Sequence, residues 1–244
     1  MEDGKALPEL FLLPGLLCDE RLWAEQTEAL KGWANSRVPD LTRYDSISAM
    51  ADAVLSQAQG RFAMAGFSMG GCVALEVVGR APDRVSRLAL LSTSAKGLLP
   101  PVRRHLRDSI VCIEAGGLDD YLENAFPGYV APKRDHDRAL RETFANMGKS
   151  LGPAVAIRQI EALLEYRGFG GSLGRIACPT VVICGREDRR TPVAAHEEMA
   201  ALIPGAKVRV IEQAGHFTPL EAPEAVTDVL RGWLQATIQD WSAK

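Results

Sequence analysis

Apolar positions along this chain fall into two registers. Short apolar runs at Leu10–Leu13, Phe62–Phe67, Arg87–Thr93, Pro179–Cys184 and Val208–Ile211 have the length and continuity of strands buried in a parallel sheet. Between them, apolar residues recur at helical spacing. Asp19 is placed to N-cap a helix from Glu20 to about Lys31, which Gly32 closes. Further helices are expected over about Ser48–Gln57, from Met69 to the Gly79–Pro82 stretch, and from Pro192 to about Ile203. Another starts at Pro223 and runs to about Gln239, with Val226, Leu230, Trp233 and Leu234 on one face. Arg37-Val38-Pro39-Asp40 is a weak second strand. Strand and helix alternate with short links. The pattern predicts an α/β fold, with a mostly parallel sheet of about six strands covered by helices on both faces.

The alternation breaks between residues 97 and 174. No strand pattern occurs there, whereas Leu106, Ile110 and Ile113 recur at helical spacing, as do Ile157, Ile160 and Leu164. Pro100-Pro101 opens this segment and Gly168-Phe169-Gly170-Gly171 closes it. The expected organisation is a core made of residues 1–96 and 175–244, with a helical cap or lid inserted at 97–174.

The chemistry concentrates where a strand meets a helix. Gly66, Ser68 and Gly70 form Gly-x-Ser-x-Gly directly after the apolar run Phe62–Phe67 and before the helical run that follows Met69. A sharp strand-to-helix turn there forces Ser68 into a strained backbone conformation. It leaves no room for side chains at the flanking glycines. In return the hydroxyl is exposed at a helix N-terminus, where backbone N–H groups favour negative charge.

Ligands of an open α/β sheet sit beyond the carboxyl ends of its strands. Three chemically suited residues follow such ends, in the order Ser68, Asp188, His216. Of the four histidines, His105, His136 and His196 fall in helical or cap regions, and only His216 follows a strand in a glycine-containing loop. Glu187 is a weaker acid candidate beside Asp188. After the strand that precedes the insertion the chain reads Ser92-Thr93-Ser94, with no carboxylate. Ser68 would attack an acyl carbonyl, His216 would carry the proton, and Asp188 would orient the imidazole.

With these residues the sequence resembles the α/β-hydrolase superfamily, from Leu10 to Trp233. The resemblance is carried by Leu13-Pro14-Gly15-Leu16, Gly66-Phe67-Ser68-Met69-Gly70-Gly71, Gly185-Arg186-Glu187-Asp188 with Thr191-Pro192, and Gly215-His216 with Glu221-Ala222-Pro223-Glu224. It implies a serine esterase-like enzyme with a helical cap. It also implies an oxyanion hole made by the backbone N–H groups of Leu16 and Met69. Many members of the superfamily carry His-Gly where this chain has Pro14-Gly15. Because the donor is main-chain, the hole should survive the change. Leu17, Phe67, Trp23 and Phe217 are the expected substrate-binding residues, and Leu98, Leu99, Phe126, Tyr129, Phe144 and Met147 are further wall candidates.

Composition narrows the partners. The chain has 244 residues, 47% hydrophobic and 24% charged, with a net charge of −3, so nothing points to nucleic acid or to an anionic membrane surface. The five cysteines are scattered without a C-x-x-C, and neither a zinc site nor a disulfide framework is expected. Met1-Glu2-Asp3-Gly4-Lys5 is polar, and the apolar run after it lacks a basic flank, unlike a signal peptide. The expectation is a cytoplasmic enzyme without metal or cofactor that acts on a small acyl substrate; a homodimer stays open. Three functions fit: hydrolysis of a small ester or thioester through an acyl-enzyme; C–C bond hydrolysis or a lyase reaction with the same triad; or a non-catalytic ligand receptor on a hydrolase scaffold.

Overall fold

The computed structural model describes residues 7–169 and 173–237. The expected polar start Met1–Lys5, the closing glycines Gly170 and Gly171, and the helix end near Gln239 lie outside the described residues.

Six strands form one sheet in the order β2-β1-β3-β4-β5-β6, every neighbouring pair parallel. In chain order, β1 (Glu9–Leu13) leads through a 3-10 turn (Glu20–Trp23) to α1 (Ala24–Ala29), β2 (Asn35–Arg37), α2 (Ile47–Gln57) and β3 (Phe62–Phe67). Then come α3 (Met69–Arg80) and β4 (Val85–Leu91). The insertion carries α4 (Pro100–Glu114), α5 (Leu118–Ala125), α6 (Arg138–Leu151) and α7 (Pro153–Glu165). The chain closes with β5 (Thr180–Gly185), α8 (Val193–Ala201), β6 (Lys207–Ile211), α9 (Thr218–Glu221) and α10 (Pro223–Gln235). None of the described helices is long and apolar enough to cross a membrane.

Alternation along the strands divides the core between the two faces. Leu10, Leu12, Ala63, Ala65, Phe67, Ala89, Leu91, Val181 and Ile183 share one buried cluster with Leu22, Trp23, Val226, Leu230 and Trp233 of the α1 and α10 side. Phe11, Leu13, Phe62, Met64, Leu88, Leu90 and Val182 share the other with Met50, Val54, Val73, Leu75 and Met199 of α2, α3 and α8. Leu106, Ile113, Phe144 and Ile160 of the insertion belong to the first cluster, so its helices share the core of the sheet. The insertion's stem closes at an antiparallel bridge between Lys96 and Gly168, where Phe169 N–H donates to Ala95 O at 2.7 Å.

Several boundaries differ from the sequence expectation for identifiable reasons. The single helix expected over 20–31 is split. Asp19 accepts the Arg21 amide as a cap, but Trp23, at φ −107°, turns the chain between the 3-10 segment and α1. The second strand lies at Asn35–Arg37 and not at 37–40. It is a polar edge strand held by backbone pairing to β1, and Pro39 has no N–H to extend that pairing. The strand expected to reach Thr93 ends at Leu91, because Ser92 adopts φ +45° and leaves the sheet. Helix α9 was not legible in the pattern.

Candidate active site

Ser68 ends β3 and begins α3 with φ 52° and ψ −114°, a conformation costing roughly 1–3 kcal/mol for a residue with a Cβ. Backbone bonds hold it there. Ser68 N–H donates to Leu91 O at 2.9 Å, while Ser68 O accepts Gly71 N–H at 2.9 Å and the Thr93 hydroxyl at 2.8 Å. The flanking glycines are required by space. A Cβ on Gly66 would lie 2.3 Å from Gly70 O, and one on Gly70 would lie 2.3 Å from Leu13 O. The Ser68 side chain caps no amide of α3, so its hydroxyl is free to face His216.

The other two residues come from loops after β5 and β6. Ser68 Oγ lies 3.0 Å from His216 Nε2, and His216 Nδ1 lies 2.9 Å from Asp188 Oδ2 and 3.1 Å from Oδ1. Asp188 also accepts the backbone N–H groups of Arg190 at 2.8 Å and Thr191 at 2.9 Å, and the Thr191 hydroxyl at 2.7 Å. Burial alone would push the Asp188 carboxyl up. The charge and hydrogen bond of His216, with the Thr191 donors, outweigh it and hold the group well below the usual carboxylate range. An ionised Asp188 only accepts, so the hydrogen-bond pattern puts the imidazole proton on Nδ1 and leaves Nε2 to accept from the Ser68 hydroxyl.

His216 sits in an aromatic box of Phe67, Tyr129 and Phe217, with ring centroids 5.2, 5.5 and 6.5 Å away. Its loop is tied to the insertion by Glu221. One carboxylate oxygen accepts Gly215 N–H at 2.9 Å and the other accepts Ala131 N–H at 2.8 Å. Burial pushes the Glu221 carboxyl above the usual carboxylate range, and the two amides offset only part of that rise. On the far side, the His196 ring of α8 accepts the Thr93 amide at Nε2, 3.1 Å away, and donates from Nδ1 to Pro192 O at 3.2 Å. Burial lowers the affinity of His196 for a proton.

A cavity of about 130 Å³ opens at Ser68 and His216. Leu16 and Met69 border it, and among the described residues neither amide has an internal acceptor. The insertion contributes Leu98, Val102, Leu106, Tyr129, Leu163 and Tyr166. Lys96 and Arg190 supply the only charges among the lining residues. Lys96 also pairs with Glu198 at 2.6 Å, whereas the Arg190 guanidinium lies 4.0 Å above the Tyr129 ring.

The four expected substrate-binding residues are a correction. Leu17, Phe67, Trp23 and Phe217 are each at most 1% exposed and do not line this cavity. Phe67 stacks on Phe217 behind His216, and Trp23 lies in the core beneath the sheet face. Leu17 and Phe67 neighbour Leu16 and Ser68 in sequence, but their side chains are buried in the core cluster. Leu98 and Tyr129, named only as further candidates, do reach the cavity. Thr191, Glu221 and His196 were missed as supports. Thr191 was detectable three residues after an expected acid, as a short Asx-type turn.

The model of the alpha/beta hydrolase family matches residues 10–229, and the chain belongs to this family. Among relatives, the pimeloyl-[acyl-carrier protein] methyl ester esterase of Aromatoleum aromaticum is 28% identical, covering 92% of this chain and 99% of its own. A protein of the same name from Chromobacterium violaceum is 30% identical over 73% of this chain and 71% of its own. Among solved structures, a thermophilic esterase from Thermogutta terrifontis superposes with a TM-score of 0.84 at 26% identity, covering 95% of this chain and 90% of that one.

Proposed function

We propose that this protein hydrolyses the ester of a small acyl group by Ser-His-Asp nucleophilic catalysis through an acyl-enzyme. The observation that carries this reading is the continuous hydrogen-bonded line from Ser68 Oγ to His216 and on to Asp188. Ser68 attacks the acyl carbonyl as His216 Nε2 takes the hydroxyl proton. The resulting imidazolium is stabilised by Asp188 and delivers the proton to the departing alcohol. His216 then takes a proton from water, which attacks the acyl-enzyme, and returns it to Ser68 Oγ as the ester bond to the serine breaks and the acid leaves. The amides of Leu16 and Met69 serve as the oxyanion hole, the second of them at the N-terminus of α3. Residues 97–174 act as a cap that walls the pocket and excludes water.

The relatives named as esterases support ester chemistry over the C–C and receptor alternatives. The wall of Leu98, Val102, Leu106 and Leu163 favours an apolar acyl group. Lys96 is paired with Glu198, so Arg190 is the lining charge that favours esters that also carry an anionic group. The test is labelling with a fluorophosphonate probe together with hydrolysis of short p-nitrophenyl esters, using Ser68→Ala as control. Labelling confined to Ser68 and turnover lost in the variant are expected. Unlabelled wild-type protein, or turnover that survives in the variant, refutes the mechanism.

A further inference from the structure

From Pro14 to Leu17, the loop that carries the Leu16 amide has no polar side chain. Pro14 offers neither a side-chain hydrogen bond nor an N–H. Gly15 is pressed against the nucleophile: a Cβ there would lie 3.3 Å from Ser68 Cβ. Leu17 stands at φ +54°, a left-handed conformation that a branched apolar residue adopts only when its surroundings impose it.

Three hydrogen bonds impose it. Cys18 N–H donates to Gly15 O at 3.2 Å, and the Cys18 thiol donates to Leu16 O at 3.4 Å. Burial pushes the Cys18 thiol up, so it remains a donor. The third bond is not local. Leu17 N–H donates to Gln159 Oε1 at 2.8 Å, across 142 residues of sequence. Leu16 O and Leu17 N–H belong to one peptide unit, and Gly15 O belongs to the unit that carries the Leu16 N–H. Two successive peptide planes are therefore pinned, and the bond from Gln159 is the one supplied by the insertion.

Gln159 lies on α7, 1% exposed, beside buried Ala156 and Ile160. A primary amide in that position is costly unless its polar atoms are used. We infer that Gln159 is a positioning residue for the oxyanion hole, fixing the direction of the Leu16 N–H through the Leu17 peptide. The inference rests on the acyl-transfer reading above. It makes the insertion a structural part of the transition-state site as well as its cover. An oxyanion donor works only when aimed in advance at the position the charge will occupy.

The test compares Gln159→Met, which keeps length and removes the acceptor, with Gln159→Glu, which keeps an acceptor oxygen. Steady-state hydrolysis of p-nitrophenyl butyrate, inhibition by butylboronic acid as a tetrahedral mimic, and thermal midpoints are measured for each. Gln159→Met should lower kcat about 10- to 100-fold, less than outright loss of a donor, with KM within about twofold. Boronate affinity should fall in parallel with kcat, and Gln159→Glu should restore most of both. Unchanged kcat and boronate affinity in a folded Gln159→Met protein overturns the positioning role and leaves the triad standing. So does a loss that Gln159→Glu shares in full. A wild-type protein that neither turns over esters nor labels at Ser68 overturns both readings.

Discussion

At the carboxyl rim of the sheet, Ser68, Asp188 and His216 stand on loops whose shapes are dictated by main-chain contacts. Across the cavity, the insertion presents Val102 and Leu106 from α4 and Leu163 from α7, side chains placed by helix packing. The rim tolerates almost no variation, because a single added Cβ at Gly66 or Gly70 meets backbone at 2.3 Å. The insertion's wall is apolar and generic, and many residues of similar volume would fill it. The rim is thus constrained by its backbone, and the insertion's wall by volume alone. Among the threads that cross between them are Glu221, joining Gly215 to Ala131, and Gln159, joining α7 to Leu17.

The largest effect should come from the rim. Ser68→Ala should reduce kcat for a short ester by about 10⁴- to 10⁶-fold while the thermal midpoint stays within a few degrees, read by burst kinetics and calorimetry. A smaller loss would move the reactive group elsewhere and dissolve the contrast. Gly70→Ala should destabilise the fold by about 3 kcal/mol or more, since the clash is with Leu13 O and Pro14 O and neither can move alone. A denaturant midpoint close to wild type would show the rim to be as adaptable as the insertion.

At the mouth, Arg190→Gln should lower kcat/KM for a carboxylate-bearing ester about three- to fivefold relative to its neutral analogue, because the guanidinium is exposed and screened. Equal changes for both esters would remove Arg190 from substrate choice. The smallest effect concerns pH. His196 is held neutral by burial, so its folded-state value lies below the ordinary 6.5. As pH falls through 6.5 the unfolded chain takes up a proton that the folded one does not. The contribution is therefore fully present above 6.5 and is lost as pH falls below it. His196→Gln should flatten the thermal midpoint between pH 6.5 and 5, where the wild type declines.

Most of the sheet was legible because buried parallel strands are continuous apolar runs with a distinctive length. Phe62–Phe67 was read to the residue. Asn35–Arg37 was not, since an edge strand is defined by what its backbone pairs with and carries no apolar signature. The break at Trp23 and the short helix Thr218–Glu221 likewise depend on packing that periodicity does not encode.

By itself the amino-acid order determined the α/β alternation, the strained turn at Ser68 and the candidacy of Ser68, Asp188 and His216, because each is tied to a local pattern of strand, glycine and loop. Which side chains wall the cavity was decided only by tertiary structure, and so Leu17, Phe67, Trp23 and Phe217 proved to be core. The partnership of Gln159 with Leu17 was decided there too. Local patterns fix backbone conformation and the face a residue occupies, whereas contacts across 142 residues exist only once helices and sheet have packed.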